Sequence, residues 1–292
     1  MRPFILGTRG SRLAVAQSQQ VADAITAATS RPVQLQIVST RGDRDRSRPL
    51  AQLGGKGLFT QELEDGLRAG QLDLAVHSLK DLPTDDPDGL VLGCFPVRED
   101  PRDAFVGPPL HELAQGARIG SGSLRRRAQI LALRPDLELV DIRGNVDTRL
   151  RKVDDGTVLG TILAMAGMNR LDIDRPDIQP FSVDQMVPAV GQGALGVQCR
   201  ADDVLLQEAL AVIDHADTRR CVLVERSFLS AYGGGCNVPA ACHAWVEGAG
   251  LCAVAVSQRA DGTLIRRTQS GRDARQLGQS LAAAVRDTDG RS

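Results

Sequence analysis

Phe4-Ile5-Leu6-Gly7-Thr8-Arg9-Gly10-Ser11 decides how this chain is read. The first four residues form a short apolar run of strand type. The next four are small, charged or hydroxyl-bearing, and Ser11 stands where a helix N-cap belongs. Residues 13–28 follow with helical periodicity, and residues 33–39 alternate apolar and polar as a half-buried strand does. Working outward, residues 60–68 read as a helix and residues 72–77 as a strand. Such alternation predicts a mainly parallel sheet covered by helices.

A second series begins after the Pro- and charge-rich stretch 96–101. Residues 118–120 close a strand, 124–133 form a helix, 137–142 a strand, 146–153 a helix and 158–164 a strand. Val187-Pro188-Ala189-Val190-Gly191-Gln192-Gly193 reads as a crossing back toward the first series. Helices are expected over 204–213 and 218–232. Strands over 240–246, 251–258 and 263–270, with a helix over 272–286, read as a small antiparallel sheet plus helix. A chain of 292 residues exceeds one comfortable core, so two or three domains are expected.

The formal net charge is −1, which argues against nucleic-acid binding through bulk charge. Lys56, Lys80 and Lys152 are the only lysines among 35 basic residues, so 32 are arginines. A coding bias accounts for most of them. The clusters matter, because guanidinium forks bind carboxylates and phosphates bidentately. Six cysteines show no C-x-x-C pair, and no His spacing suits a metal. No apolar run approaches a membrane span, and the N-terminus carries no signal-peptide hydrophobic region. These features predict a cytoplasmic protein with free thiols.

Four polar clusters follow predicted strands, the edge of an open α/β sheet that faces ligand. They are Thr8-Arg9-Gly10-Ser11, Ala75-Val76-His77-Ser78-Leu79-Lys80-Asp81-Leu82-Pro83, Ser121-Gly122-Ser123-Leu124-Arg125-Arg126-Arg127 and Arg143-Gly144-Asn145-Val146-Asp147-Thr148-Arg149. Three arginines in a first helical turn oppose the helix dipole, and a bound polyanion would be their partner. Helix geometry turns one of them away, and Arg127 is the choice. Lys80 suits a substrate anion, and Asp81 suits a positive charge that develops during reaction. His77 reads as a hydrogen-bonded strand-end residue. The segment 40–57, rich in Arg, Asp and Gly and carrying Gly54-Gly55-Lys56-Gly57, reads as a mobile lid or as a solvated loop without a role. Gly233-Gly234-Gly235-Cys236-Asn237-Val238-Pro239 sets one thiol on a sterically open loop, either an attachment point or a tight turn holding a buried Cys.

In this combination the chain resembles the porphobilinogen deaminase family along nearly its whole length. Ala75–Pro83 and Arg143-Gly144-Asn145-Val146 are the most specific strings. The resemblance implies α/β architecture in three domains, two similar to type II periplasmic binding proteins with a cleft between them. These are 1–96 with 194–213, and 100–188. The third, 216–292, is a small α+β domain with an antiparallel three-stranded sheet. It implies a transferase that condenses four porphobilinogen molecules head to tail onto a dipyrromethane cofactor, releasing ammonia and hydroxymethylbilane. The cofactor would be joined by a thioether to Cys236. Asp81 matches the catalytic carboxylate, expected to hold pyrrole N–H groups and steady cationic intermediates as ammonia leaves. Arg9, Arg125, Arg126, Arg143, Arg149 and Arg170 match carboxylate-binding arginines. Ser11, Lys80 and Ser123 match further contacts, and Lys56 the lid.

No metal, nucleic acid or membrane is implied, and a monomer is expected that passes its product to uroporphyrinogen III synthase. Gln52, Gly122, Leu159-Gly160-Thr161 and Asn237 depart from the commoner family pattern. Gly122 removes one possible hydrogen bond, and the run at 159–161 has no explanation in the sequence. The rival reading is a non-catalytic carboxylate-binding protein of periplasmic type.

Overall fold

The computed structural model describes residues 2–40, 60–85, 87–233 and 238–286. Lys56, Gln52, Cys236 and Asn237 lie outside the described residues, as does most of the segment read as a lid. The chain divides into two compact units, residues 1–98 with 194–219, and residues 99–193 with 220–292.

The first unit holds β1 Phe4–Thr8, α1 Arg12–Thr29, β2 Val33–Ile37, α2 Gln61–Arg68 and β3 Leu74–Ser78. A single 3-10 turn Leu79–Asp81 leads toward β4 Leu90–Cys94. Ser11 caps α1 by accepting from the Ala14 amide at 3.2 Å. The helix buries Gln17, Ser18, Val21, Ala22 and Ile25, the stripe expected of a period near 3.6. Leu74 to His77 is a continuous buried run because β3 lies inside the sheet.

The second unit begins with β5 Asp103–Val106 and a 3-10 turn Leu110–Glu112. It continues with β6 Arg118–Gly120, α3 Leu124–Leu133, β7 Glu138–Val140, α4 Val146–Asp154, β8 Gly160–Ala164, α5 Met165–Asn169 and β9 Ile178–Pro180. The chain then returns to the first unit as β10 Leu195–Arg200 and α6 Val204–Ala211. After α7 Ala216–Tyr232 come β11 Ala240–Glu247, β12 Gly250–Gln258, β13 Leu264–Gly271 and α8 Ala274–Val285.

The two large sheets share one plan. Their orders are β2-β1-β3-β10-β4 and β7-β6-β8-β5-β9. In each, three strands pair in parallel, a fourth pairs antiparallel on both sides, and the fifth therefore runs with the first three. The expected mainly parallel sheet is thus found with one reversed strand in each copy. The reversed strands, β5 and β10, are the ones the chain enters directly after crossing between units. Both were missed in the sequence, as were β4, β9 and α5. β4, β5, β9 and α5 have five residues or fewer, and β10 has six.

The third sheet is antiparallel, β11-β12-β13. Along β12, Leu251, Ala253 and Ala255 join one core with Val224 and Phe228 of α7 and Leu281 of α8, while Val254 and Val256 pack with Val187 and Ala241. Both faces are covered, so the strand is buried from Leu251 to Ser257. Glu225 of α7, wholly buried, accepts from the amides of Gly191 at 2.7 Å and Ala244 at 2.9 Å. One carboxylate thereby ties this sheet to the segment before the return crossing. The run 159–161 now has a packing reason. A Cβ on Gly160 would meet the Phe105 ring at 2.2 Å, and the buried Thr161 hydroxyl donates to the Gly120 carbonyl at 2.9 Å.

Candidate functional site

In the first unit the polar residues stand at the C-terminal ends of β1 and β3, neighbouring parallel strands. Thr8 is buried, accepts from Ser18 Oγ at 2.7 Å and donates to the Ala14 carbonyl at 3.1 Å, which fixes the β1–α1 turn. Arg9 and Ser11 leave that turn partly exposed. α1 carries no acidic residue in its first turn, so its N-terminus keeps its positive end uncompensated by its own side chains. Lys80 is half-buried and Asp81 exposed on the 3-10 turn. His77 is buried, with Nε2 at 3.2 Å from Gln198 Oε1. Burial first, with the Arg9 charge adding and the Gln198 bond opposing, lowers its pKa to about 4. It is a neutral strand residue beneath the polar turn, as the sequence suggested.

The second unit gathers its arginines more tightly. Ser123 caps α3 by accepting from the Arg126 amide at 3.4 Å. Arg125 and Arg126 follow immediately and are each only 6% exposed. Their partner within the fold is Asp103, the first residue of β5 and fully buried. Arg126 places Nε and Nη2 on Asp103 Oδ1 at 3.0 and 2.7 Å, and Nη1 on the Ile162 carbonyl at 2.8 Å. Arg125 uses Nη1 alone, 2.5 Å from Asp103 Oδ2 and 2.9 Å from the Val187 carbonyl. Gln192 Nε2 also donates to Asp103 Oδ1, at 2.9 Å. A bound polyanion is therefore not the sole reason for clustered arginines here, because the chain supplies one carboxylate itself. Arg127 lies apart from this group and donates to the Ser121 carbonyl at 3.2 Å.

Two guanidinium groups against one carboxylate leave an excess of one positive charge in this trio. Burial alone would raise the Asp103 pKa. The charges of Arg125 and Arg126, with their hydrogen bonds, reverse that and hold the carboxyl far below its ordinary range. Arg126 is pulled below its usual value, first by burial, with Asp103 opposing and Arg125 adding. Arg149, from the first turns of α4, is lowered to about 10 by burial and then by the charge of Arg126. It donates from Nε to the Gly144 carbonyl at 2.9 Å. Asn145 caps α4 by accepting from the Thr148 amide at 2.9 Å. Folding thus desolvates Arg126 and Arg149 near one another, an arrangement that an incoming carboxylate relieves.

The remaining predicted residues sit differently. Arg143 is exposed, its Nε 3.8 Å from Asp141 Oδ2. Arg170 ends α5 and donates from Nη2 to the Gly193 carbonyl at 2.9 Å, and burial lowers its pKa to about 10 with Glu99 opposing. It stands by the return crossing. At Gly122 a Cβ would come within 2.8 Å of Asp141 Oδ1, so the departure there leaves room for a neighbour as well as removing a hydroxyl. Asp103 and Gln192 are the residues sequence reasoning passed over. The available signal was an acidic residue opening the apolar run Ala104-Phe105-Val106, since a buried acid demands a partner. Among the described residues no group of three His, Cys, Asp or Glu is placed to hold a metal. No helix among them is long and apolar enough to cross a membrane.

The fold and the arginine clusters define an α/β protein with two like-built sheet units that carry basic and hydroxyl side chains at their strand ends. Residues 4–208 match the family model for the porphobilinogen deaminase, dipyromethane cofactor binding domain, and residues 219–287 that for the porphobilinogen deaminase C-terminal domain. Porphobilinogen deaminase of Nitratidesulfovibrio vulgaris (strain Miyazaki F) is 46% identical over 98% of this chain and 94% of its own. That of Roseiflexus sp. (strain RS-1) is 45% identical over 99% and 97%. The enzyme of Paracoccus denitrificans is 45% identical over 97% and 94%. The chain belongs to the porphobilinogen deaminase family. Among solved structures, the methionine binding protein MetQ overlaps at a TM-score of 0.46 with 13% identity, covering 84% of this chain and 98% of its own. Overlap at that level adds nothing to the fold assignment, which rests on the strand orders.

Proposed function

We propose that the residues above carry the family reaction, the stepwise condensation of porphobilinogen onto a dipyrromethane cofactor with loss of ammonia, in the following roles. The observation that supports this most is the desolvated excess of positive charge around Arg125, Arg126 and Arg149. Each pyrrole unit bears an acetate and a propionate, so a growing chain adds two carboxylates at every step. Buried guanidinium groups with only partial internal compensation suit that load. Arg9, Ser11 and Lys80 would bind carboxylates in the first unit, and Ser123, Arg143 and Arg170 in the second.

When bound, the dipyrromethane cofactor supplies an unsubstituted pyrrole carbon as the acceptor for the first substrate. Cys236 is the residue we assign to its thioether attachment. It lies between the end of α7 and the start of β11, in a stretch bounded by Gly233 and Val238. Asp81 carries the central chemical role. An exposed carboxylate on a rigid turn beyond a buried strand can accept from pyrrole N–H groups. It can also stabilise the positive charge that develops on the substrate as ammonia departs. Lys56 is assigned to the lid. The three-domain division at 1–96 with 194–213, 100–188 and 216–292, a monomeric state, a cytoplasmic location and delivery of hydroxymethylbilane to uroporphyrinogen III synthase complete the reading.

The rival binding-protein reading makes a different forecast. Incubation with porphobilinogen should release ammonia and a linear tetrapyrrole at multiple turnover. Saturable binding with no ammonia would favour the rival.

A further inference from the structure

Asp103 does more than neutralise charge. Its two oxygens are used unequally. Oδ1 takes the Nε–Nη2 edge of Arg126 together with the Gln192 amide, and Oδ2 takes only Nη1 of Arg125. The Nε–Nη2 edge is the one with which arginine grips a carboxylate side-on. On Arg126 that edge is filled, and Nη1 is committed to the Ile162 carbonyl. On Arg125 both bonds leave from Nη1, to Asp103 and Val187, and among the described residues no acceptor engages Nε or Nη2.

We propose that Asp103 is a positioning residue that locks Arg126 as its own counter-ion and anchors Arg125 by one nitrogen, leaving the Nε–Nη2 edge of Arg125 to grip a pyrrole carboxylate. The two adjacent arginines then have different jobs. Arg126 is the internal counter-ion whose charge also acts on Arg149, and Arg125 is the ligand contact. Gln192, in the segment before the return crossing, connects the arrangement to the stretch leading into β5, because its Nε2 also donates to the Pro101 carbonyl at 2.7 Å. The proposal rests on the carboxylate-binding reading of Arg125.

The test begins with Asp103→Glu, which keeps the charge but displaces the carboxylate by one methylene. Positioning requires folded protein that either lacks the cofactor mass or, once loaded, shows KM for porphobilinogen raised about tenfold at unchanged kcat, the cost of one charge-assisted bond. Lower thermal stability with unchanged loading and unchanged KM would overturn it, since that is all a merely structural carboxylate predicts. Arg125→Leu separates the two layers. Wild-type loading and KM in that variant would remove the parent reading of Arg125, whereas impaired Arg125→Leu beside an unaffected Asp103→Glu would remove only the role given to Asp103. Should Asp103→Glu fail to fold, a crystal structure of the wild-type holoenzyme decides. A pyrrole carboxylate on the Nε–Nη2 edge of Arg125, with Asp103 still on that of Arg126, supports the proposal. A ligand carboxylate that displaces Asp103 from Arg126 overturns it.

Discussion

Asp81 and His77 are four residues apart and illustrate opposite uses of one strand end. Asp81 is exposed on the 3-10 turn after β3, and we assign it a role in the chemistry. Asp81→Asn keeps the size and removes the charge, so kcat should fall about 100-fold or more with the circular dichroism spectrum retained. Near-normal turnover would dismiss its role. His77 is buried and neutral, and its effect is on stability. In the unfolded chain it takes up a proton near pH 6.5, but in the fold only near pH 4. Its contribution is therefore neutral above pH 6.5 and lowers stability progressively as pH falls toward 4, by up to about 3 kcal/mol. The lowered carboxyls of Asp73 and Asp100 act below that window, because their unfolded values are already near 3.8. Denaturant titrations at pH 7 and pH 4.5 should show a smaller loss for His77→Gln than for the parent. Equal losses would contradict the assignment. Asp103 shows what the sequence withheld at this scale. Three arginines after a helix cap were legible, but Asp103, the partner of Arg125 and Arg126, lies more than 20 positions away, and such a contact has no local pattern.

At the level of elements, legibility followed length and punctuation. The helix over 124–133 was read to the residue because Ser123 caps it. β11 to β13, seven to nine residues long in the reading and the structure, were found within a residue or so. β5 has four residues directly behind a proline-rich stretch, and β10 mixes small, polar and apolar residues. Neither announces itself, and neither announces that it runs against its neighbours, because direction depends on where the chain last was. The Leu159-Gly160-Thr161 run likewise became intelligible only through Phe105 on a paired strand. Gly160→Val should force that ring aside and cost about 2 kcal/mol or more, read as a lower midpoint in urea. An unchanged midpoint would mean that the β5–β8 contact yields without strain.

Across the molecule, the repeated sheet plan explains how one chain presents two sets of strand ends bearing basic side chains, to which we assign anion binding. Each unit has parallel strands whose C-terminal ends meet helix N-termini, and each received its own arginines. The family follows from matches spanning nearly the whole chain. Cofactor attachment at Cys236, which lies outside the described residues, is the proposal most in need of direct measurement. Intact-protein mass spectrometry provides it. The wild-type chain should carry an added mass equal to two linked pyrrole units, and Cys236→Ser should lack it and be inactive. A wild-type protein that is unmodified and fully active, or a Cys236→Ser variant that keeps the added mass, would contradict the account.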